Sequence, residues 1–169
     1  LLSTNPISIA IPSGLNPPII LDMATTVAAY GKVKTLIQSG GKMPEGWMID
    51  KQGNPLTDPT KSKDGFLLPI GGPKGSGLSL IFGILAGTLN NAAFGRDVID
   101  FNSDHKTITN TGQFIIALDI EAFMDLELFK SQIDNVWKEM KSSKKLPGIS
   151  EIRLPGENLA KTIKKRTSL

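Results

Sequence analysis

Ile19-Ile20-Leu21-Asp22-Met23-Ala24-Thr25-Thr26-Val27-Ala28-Ala29-Tyr30-Gly31-Lys32-Val33 is the stretch in which the chain changes period. The apolar run Ile19 to Leu21, edged by Pro18, reads as a strand. From Thr25 onward, Val27, Tyr30, Val33 and either Leu36 or Ile37 recur at helical spacing, behind a threonine cap and ahead of the Gly40-Gly41 stop. A strand feeding a helix, with Asp22-Met23-Ala24 at the junction, predicts an α/β chain. Asp22 has two compatible readings there. A carboxylate at a strand end is placed to bind ligand groups, and one at a helix start satisfies free backbone N–H groups.

The neighbouring segments extend this pattern. Ile7 to Ile11 alternates with period two, as a half-buried strand does. Residues 42–65 hold the turn chemistry Met43-Pro44-Glu45-Gly46, Gln52-Gly53-Asn54-Pro55 and Asp58-Pro59, with Trp47-Met48-Ile49 as a short strand among them. Phe66 to Ile70 is apolar again, and Gly71-Gly72-Pro73-Lys74-Gly75-Ser76-Gly77 then opens a strongly apolar helix of about a dozen residues. Phe114 to Leu118 reads as a buried strand. Leu126, Phe129, Ile133, Val136 or Trp137, and Met140 fall on one face of an amphipathic helix that Pro147-Gly148 ends. The segment Ile152 to Glu157 is turn-like, and a last basic helix follows it. There is no internal repeat.

With 169 residues, 40% hydrophobic and 21% charged, the chain has the composition of a soluble globular protein. The longest apolar run, Leu78 to Leu89, is interrupted by Ser79, two glycines and Thr88, so it predicts a buried helix and no membrane span. The absence of cysteine excludes a disulfide frame, a thiolate nucleophile and a zinc–thiolate site, and fits a cytoplasmic protein. No metal site is expected. The net charge is +3, and the basic cluster Lys161, Lys164, Lys165 and Arg166 suits the C-terminal end of a helix. No aromatic residues interleave with it, which argues against a nucleic-acid tail. The chain opens with Leu1-Leu2 and no initiator methionine, so an N-terminal part is expected to be missing.

Two features have chemical content. The glycine loop before the apolar helix lets backbone N–H groups approach an anion, and Lys74 would add a full positive charge. A phosphate-binding P-loop needs Gly-Lys-Ser/Thr, and the order here is Lys74-Gly75; no GxGxxG pattern occurs either. A helix-packing role for these glycines stays equally open. The lone His105, in Asn102-Ser103-Asp104-His105-Lys106, has polar neighbours and no sign of the pocket that a general base needs.

Several blocks, taken in order, resemble the malate/L-lactate dehydrogenase family, which includes sulfolactate and ureidoglycolate dehydrogenases and diketogulonate reductase. They are Leu2-Ser3-Thr4-Asn5-Pro6, Leu21-Asp22-Met23-Ala24-Thr25-Thr26, Tyr30-Gly31-Lys32-Val33, Pro44-Glu45-Gly46-Trp47, Asp50-Lys51-Gln52-Gly53-Asn54-Pro55, Leu68-Pro69-Ile70-Gly71-Gly72-Pro73-Lys74-Gly75 and Arg153-Leu154-Pro155-Gly156-Glu157. The resemblance implies a non-Rossmann nicotinamide-binding fold of α+β type, with a mixed, mostly antiparallel sheet and flanking helices. It implies hydride transfer between NAD or NADP and a small 2-hydroxyacid or 2-oxoacid, in a homodimer. Residues 1–150 are then the nicotinamide-binding domain, and residues 151–169 a cofactor-contacting turn and helix. Asp22, Met23, Ala24, Lys74, Gly75, Arg153, Pro155, Gly156 and Glu157 are the implied cofactor residues, and Tyr30, Gly31 and Lys32 lie near substrate. The imine-reducing branch of the family is similar but carries Asp at the position of Lys32. Ser3 and Ser76 depart from the glycine and tyrosine usual in the family. The family's catalytic histidine belongs to an N-terminal helical part, so no catalytic residue is expected among these 169 and the chain alone is expected to be inactive. A non-catalytic nucleotide- or anion-binding module is the alternative.

Overall fold

The computed structural model describes residues 4–101 and 103–168. Leu2 and Ser3 of the first family-like block, and Asn102, lie outside the described residues. In chain order the elements are strands β1 (Ile7–Ile11) and β2 (Ile19–Met23), helix α1 (Tyr30–Ser39) and strands β3 (Met48–Asp50) and β4 (Gly65–Leu67). Helices α2 (Pro73–Ala86), α3 (Leu126–Ser142) and α4 (Glu157–Thr167) follow. The chain forms two compact units. The first takes residues up to Ile7 and Ala24–Ile115, and the second takes Ser8–Met23 and residues from Ile116 onward.

In the first unit, β3 and β4 pair antiparallel with Met48 opposite Leu67, Ile49 opposite Phe66 and Asp50 opposite Gly65. Val33 from α1 meets Met43 and Met48 in a fully buried cluster, with Tyr30, Leu36, Trp47, Leu56 and Leu67 packed against it. The turn-rich stretch 42–65 therefore packs on itself. Met43 N–H donates to Thr57 O (2.8 Å) and Leu56 N–H to Met48 O (3.0 Å). Asp50 accepts from the N–H groups of Gln52 and Asn54, each at 2.9 Å, and so holds the turn between them.

Helix α1 begins at Tyr30 and not behind a threonine cap; its N-cap is Ala29, with no side-chain hydrogen bond. Residues 24–29 instead run beside the chain around Pro69. Val27 N–H donates to Leu68 O (2.8 Å), Ile70 N–H donates to Thr25 O (3.0 Å), and Thr26 bridges Pro69. Thr25 and Thr26 are buried, with Asn5 N–H donating to Thr25 Oγ1 and Thr26 Oγ1 donating to Ala28 O. Pairing across the unit thus overrides the local helical spacing.

Helix α2 buries a stripe of small residues, Gly75, Ser79 and Gly83. Asn5 Nδ2 donates to Ser79 O at 2.8 Å, and a Cβ on Gly83 would lie 2.7 Å from the Phe94 ring. The segment Phe114 to Leu118, expected as a buried strand, is neither buried nor a strand. Ile115 is 84% exposed and Leu118 76%. A strand holds its conformation through ladder bonds to a neighbour, and no strand is assigned beside this run among the described residues.

In the second unit β1 pairs with β2, though Ile9, expected on an inner face, is exposed. Asp134 of α3 accepts from the N–H groups of Leu15 (2.7 Å) and Asn16 (3.0 Å), tying the β1–β2 connection to the helix. Asp125 caps α3 by accepting from Leu128 N–H at 2.8 Å. Trp137, and not the half-exposed Val136, is the buried residue of α3. The helix stops at Ser142, ahead of Pro147-Gly148. There the Ser142 and Ser143 hydroxyls donate to Glu139 O, competing with the helical ladder.

Candidate nicotinamide-binding residues

Among the expected residues, Ala24, Tyr30, Gly31, Lys32, Lys74 and Gly75 fall in the first unit; Asp22, Met23 and the 153–157 turn fall in the second.

At the start of α2, Gly71 and Gly72 both have φ +57, the left-handed conformation that only glycine adopts without strain. The chain doubles back there and enters the helix through Pro73, with Ser76 N–H closing the first helical bond on Gly72 O at 3.0 Å. Lys74 is exposed in the first turn, where backbone N–H groups have no intrahelical acceptor. Gly75 is buried, and a Cβ on it would collide with Ile70 O. The two readings of the loop thus separate by residue: Gly75 serves close packing, while Lys74 leaves a cation beside a helix N-terminus, which suits an anionic group.

Tyr30, Gly31 and Lys32 form the first turn of α1. Tyr30 is half-buried, its hydroxyl 3.3 Å from Ser62 Oγ and its ring 5.7 Å from the Lys34 ammonium. Gly31 faces open space and Lys32 is exposed.

In the second unit Asp22 is an exposed residue of β2, in the strand and not at a helix start, so it caps no helix. Two residues back, Ile20 N–H donates to Pro155 O at 3.1 Å. Gly156, at φ +85, comes so close that a Cβ would lie 2.9 Å from Ile20 Cβ. Ile20 and Asp22 share one side of the strand because side chains alternate. The structure therefore brings the 155–156 turn and Asp22 to the same strand. Arg153 and Pro155 are exposed, whereas Leu154 is buried.

Glu157 differs from the other expected residues. It is 5% exposed, and its carboxylate accepts from Lys141 at 2.7 Å, Lys161 at 2.8 Å and Leu154 N–H at 3.1 Å. Burial by itself raises its pKa. The hydrogen bonds from Lys141, Lys161 and Leu154 outweigh that and hold it at about 2. Glu151 bridges the same two lysines. The Glu157–Lys161 spacing of four was visible in the sequence as a helical pair, but Lys141 and Glu151 join it only through packing.

His105 is exposed in a turn where Asp104 accepts from the N–H groups of Lys106 and Thr107. A shallow cleft of about 430 Å³ lined by Leu36, Lys42, Asp58 and Thr60 contains none of the expected residues. No cluster of metal-ligating side chains occurs among the described residues, and none of their helices is long and apolar enough to cross a membrane.

The sequence matches the malate/L-lactate dehydrogenase family over residues 1–169, and the chain belongs to that family. It is 40% identical over 165 residues to the malate/(S)-sulfolactate dehydrogenase of Methanothermus fervidus, covering 98% of this chain and 47% of that protein. The NAD(+) ureidoglycolate dehydrogenase of Escherichia coli K12 is 35% identical over 92% of this chain and 44% of its own length. Among solved structures, Entamoeba histolytica malate dehydrogenase superposes with a TM-score of 0.85 at 29% identity, over 95% of this chain and 48% of that one. The δ1-piperideine-2-carboxylate reductase of Pseudomonas syringae gives 0.81 at 28% identity, over 96% and 47%. The chain thus spans about half the length of the relatives it matches, and its fold of helices and small sheets is that of the sulfolactate and malate dehydrogenases.

Proposed function

We propose that this chain is the cofactor-holding half of an NAD(P)-dependent 2-hydroxyacid dehydrogenase acting on a small substrate such as malate, lactate or sulfolactate. The observation that carries the reading is Lys74, an exposed cation in the first turn of α2 behind two left-handed glycines, in a chain of this family. NAD and NADP bring a pyrophosphate that such a helix start suits, and the bound nicotinamide supplies the hydride. In the first unit, Lys74 and the N–H groups beside it hold phosphate, with Ala24 and Gly75 shaping the approach. Tyr30, Gly31 and Lys32 lie towards substrate. In the second unit, Asp22 offers its carboxylate to ribose hydroxyls, alongside Met23, Arg153, Pro155 and Gly156, and Glu157 holds that turn in place. The acid that protonates the substrate carbonyl lies outside these 169 residues, in an N-terminal helical part. A homodimer of the completed enzyme is the working assembly.

Titration with NADH, followed by fluorescence of Trp47 and Trp137, tests cofactor binding. The activity is tested by mixing the chain with the complementary half of the Methanothermus fervidus relative and offering oxaloacetate, pyruvate and sulfopyruvate. Binding by the chain alone, with turnover only in the mixture, is the expected result. Turnover by the chain alone would place the acid within it, and absence of NADH binding would end the reading.

A further inference from the structure

Helix α2 is arranged inside out for a helix on the surface of a soluble unit. Its buried stripe is made of small residues, Gly75, Ser79 and Gly83, so its backbone lies close against the first unit. Its large apolar side chains turn away, with Leu78 46%, Ile81 53% and Ile84 40% exposed. A helix that is apolar all round belongs inside a protein, with a second layer over it.

The total surface agrees with an uncovered layer. The chain exposes 12542 Å², against roughly 8,100 Å² for a folded monomer of 18.2 kDa and roughly 9,800 Å² for two globules sharing that mass. The excess, on the order of 2,700–4,400 Å², is more than three times the ~800 Å² that each partner buries in a standard interface. That is the scale of an obligate interface. The relatives are about twice as long as this chain, so the rest of such a chain is a polypeptide of matching size to cover the surface.

We infer that the outward face of α2, centred on Leu78, Ile81 and Ile84, is the seat of the polypeptide that makes up the other half of the family's chains. That polypeptide packs an apolar face onto α2 and completes one hydrophobic core with it. This rests on the proposed reading of the chain as half of a dehydrogenase. It adds where the two halves meet.

The experiment mixes the 169-residue chain with the complementary half of the Methanothermus fervidus relative, without cofactor or substrate, and reads association by sedimentation. Hydrogen exchange of the α2 amides is followed in the same mixture. A one-to-one complex with slowed exchange along α2 is expected. Ile81→Lys should weaken it at least tenfold and the milder Ile81→Gln by less, each with an unchanged circular dichroism spectrum. Leu15→Lys, at a residue 96% exposed in the second unit, should leave association as it was. No association, a complex indifferent to both Ile81 variants with α2 exchange unchanged, or a homodimer of the chain that Ile81→Lys dissolves would each overturn the inference. Association is read apart from the turnover assay proposed above, so the two ideas fail separately. A complex that forms on α2 but in that assay reduces no 2-oxoacid refutes the proposed function alone, and turnover there that survives Ile81→Lys in full refutes this inference alone.

Discussion

The Lys141 ammonium lies 2.7 Å from the Glu157 carboxylate, joining the last turn of α3 to the first turn of α4. The pair also receives Lys161 and the Leu154 N–H, so the turn at 154–157 is held by a charge that cannot easily be hydrated. That contact leads to a pH-dependent expectation.

With its pKa at about 2 in the folded chain and 4.5 as the ordinary value, Glu157 contributes stability that is fully present above pH 4.5. It is lost as the pH falls through the folded value. Glu157→Gln should cost about 1.5–3 kcal/mol at pH 7, the range for hydrogen bonds to a charged group. The variant's denaturant midpoint should also change less than the wild type's between pH 5 and pH 2. Urea unfolding at a series of pH values measures both. Parallel curves would show that Glu157 is not the titrating group. Lys161 is the more exposed of the two lysines, so Lys161→Ala should cost less than Lys141→Ala.

Gly156 combines φ +85 with a close approach to Ile20. Gly156→Ala adds a strained backbone conformation and a crowded Cβ, together about 1–3 kcal/mol of destabilisation. The 155–156 turn should lift from β2, and thermal melting with amide exchange at Ile20, whose N–H donates to Pro155 O, reads the change. An unaltered Ile20 amide would separate this turn from β2.

Lys74 and Gly75 are adjacent but should respond oppositely. Lys74→Ala removes an exposed cation, so its melting temperature should stay within a degree or two, while NAD(P)H binding weakens by about 1.5–3 kcal/mol. Gly75→Ala pushes a Cβ into the Ile70 carbonyl, and overpacking of this kind costs about 1–3 kcal/mol or more in stability. Isothermal titration alongside melting curves distinguishes them. Equal NAD(P)H affinity in Lys74→Ala would remove the lysine from the cofactor site.

On the proposed reading, in which Lys32 lies towards substrate, this exposed lysine bears on substrate class. An ammonium at this position repels a protonated imine and favours a carboxylate nearby. The completed enzyme is expected to reduce 2-oxoacids with a much higher kcat/KM than piperideine-2-carboxylate. Lys32→Asp should narrow that ratio. An imine turned over as well as the 2-oxoacids would place the enzyme with the reductases that share its fold.

Much of the local structure was legible because it depends on neighbours in sequence. The spacing of Leu126, Phe129, Ile133 and Trp137 marks α3, Gly40 stops α1, and Trp47-Met48-Ile49 marks a short strand that in the structure runs one residue later, Met48–Asp50, all through local backbone preferences and apolar periodicity. The start of α1 was not legible. Thr25 and Thr26 look like caps, yet their hydrogen bonds go to Asn5, Ala28 and Ile70, and only the folded unit brings Asn5 and Ile70 alongside. Phe114 to Leu118 misleads for the opposite reason: its residues favour a strand, but a strand needs a neighbour that no local pattern supplies.

The order of residues is enough to identify the family, through blocks that run from Leu2 to Glu157, and to mark Asp22, Lys74 and Lys32 as chemically able side chains. The tertiary structure alone decided what each is free to do. Glu157 reads as one more acidic residue in a turn until burial and two lysines from separated positions lock its charge in place. Gly75 reads as part of an anion loop until the Ile70 carbonyl closes over it. Burial of Glu157 draws on Lys141, sixteen residues away, and the Ile70–Gly75 contact on the backbone path of the turn between them, so both exist only once the chain has folded.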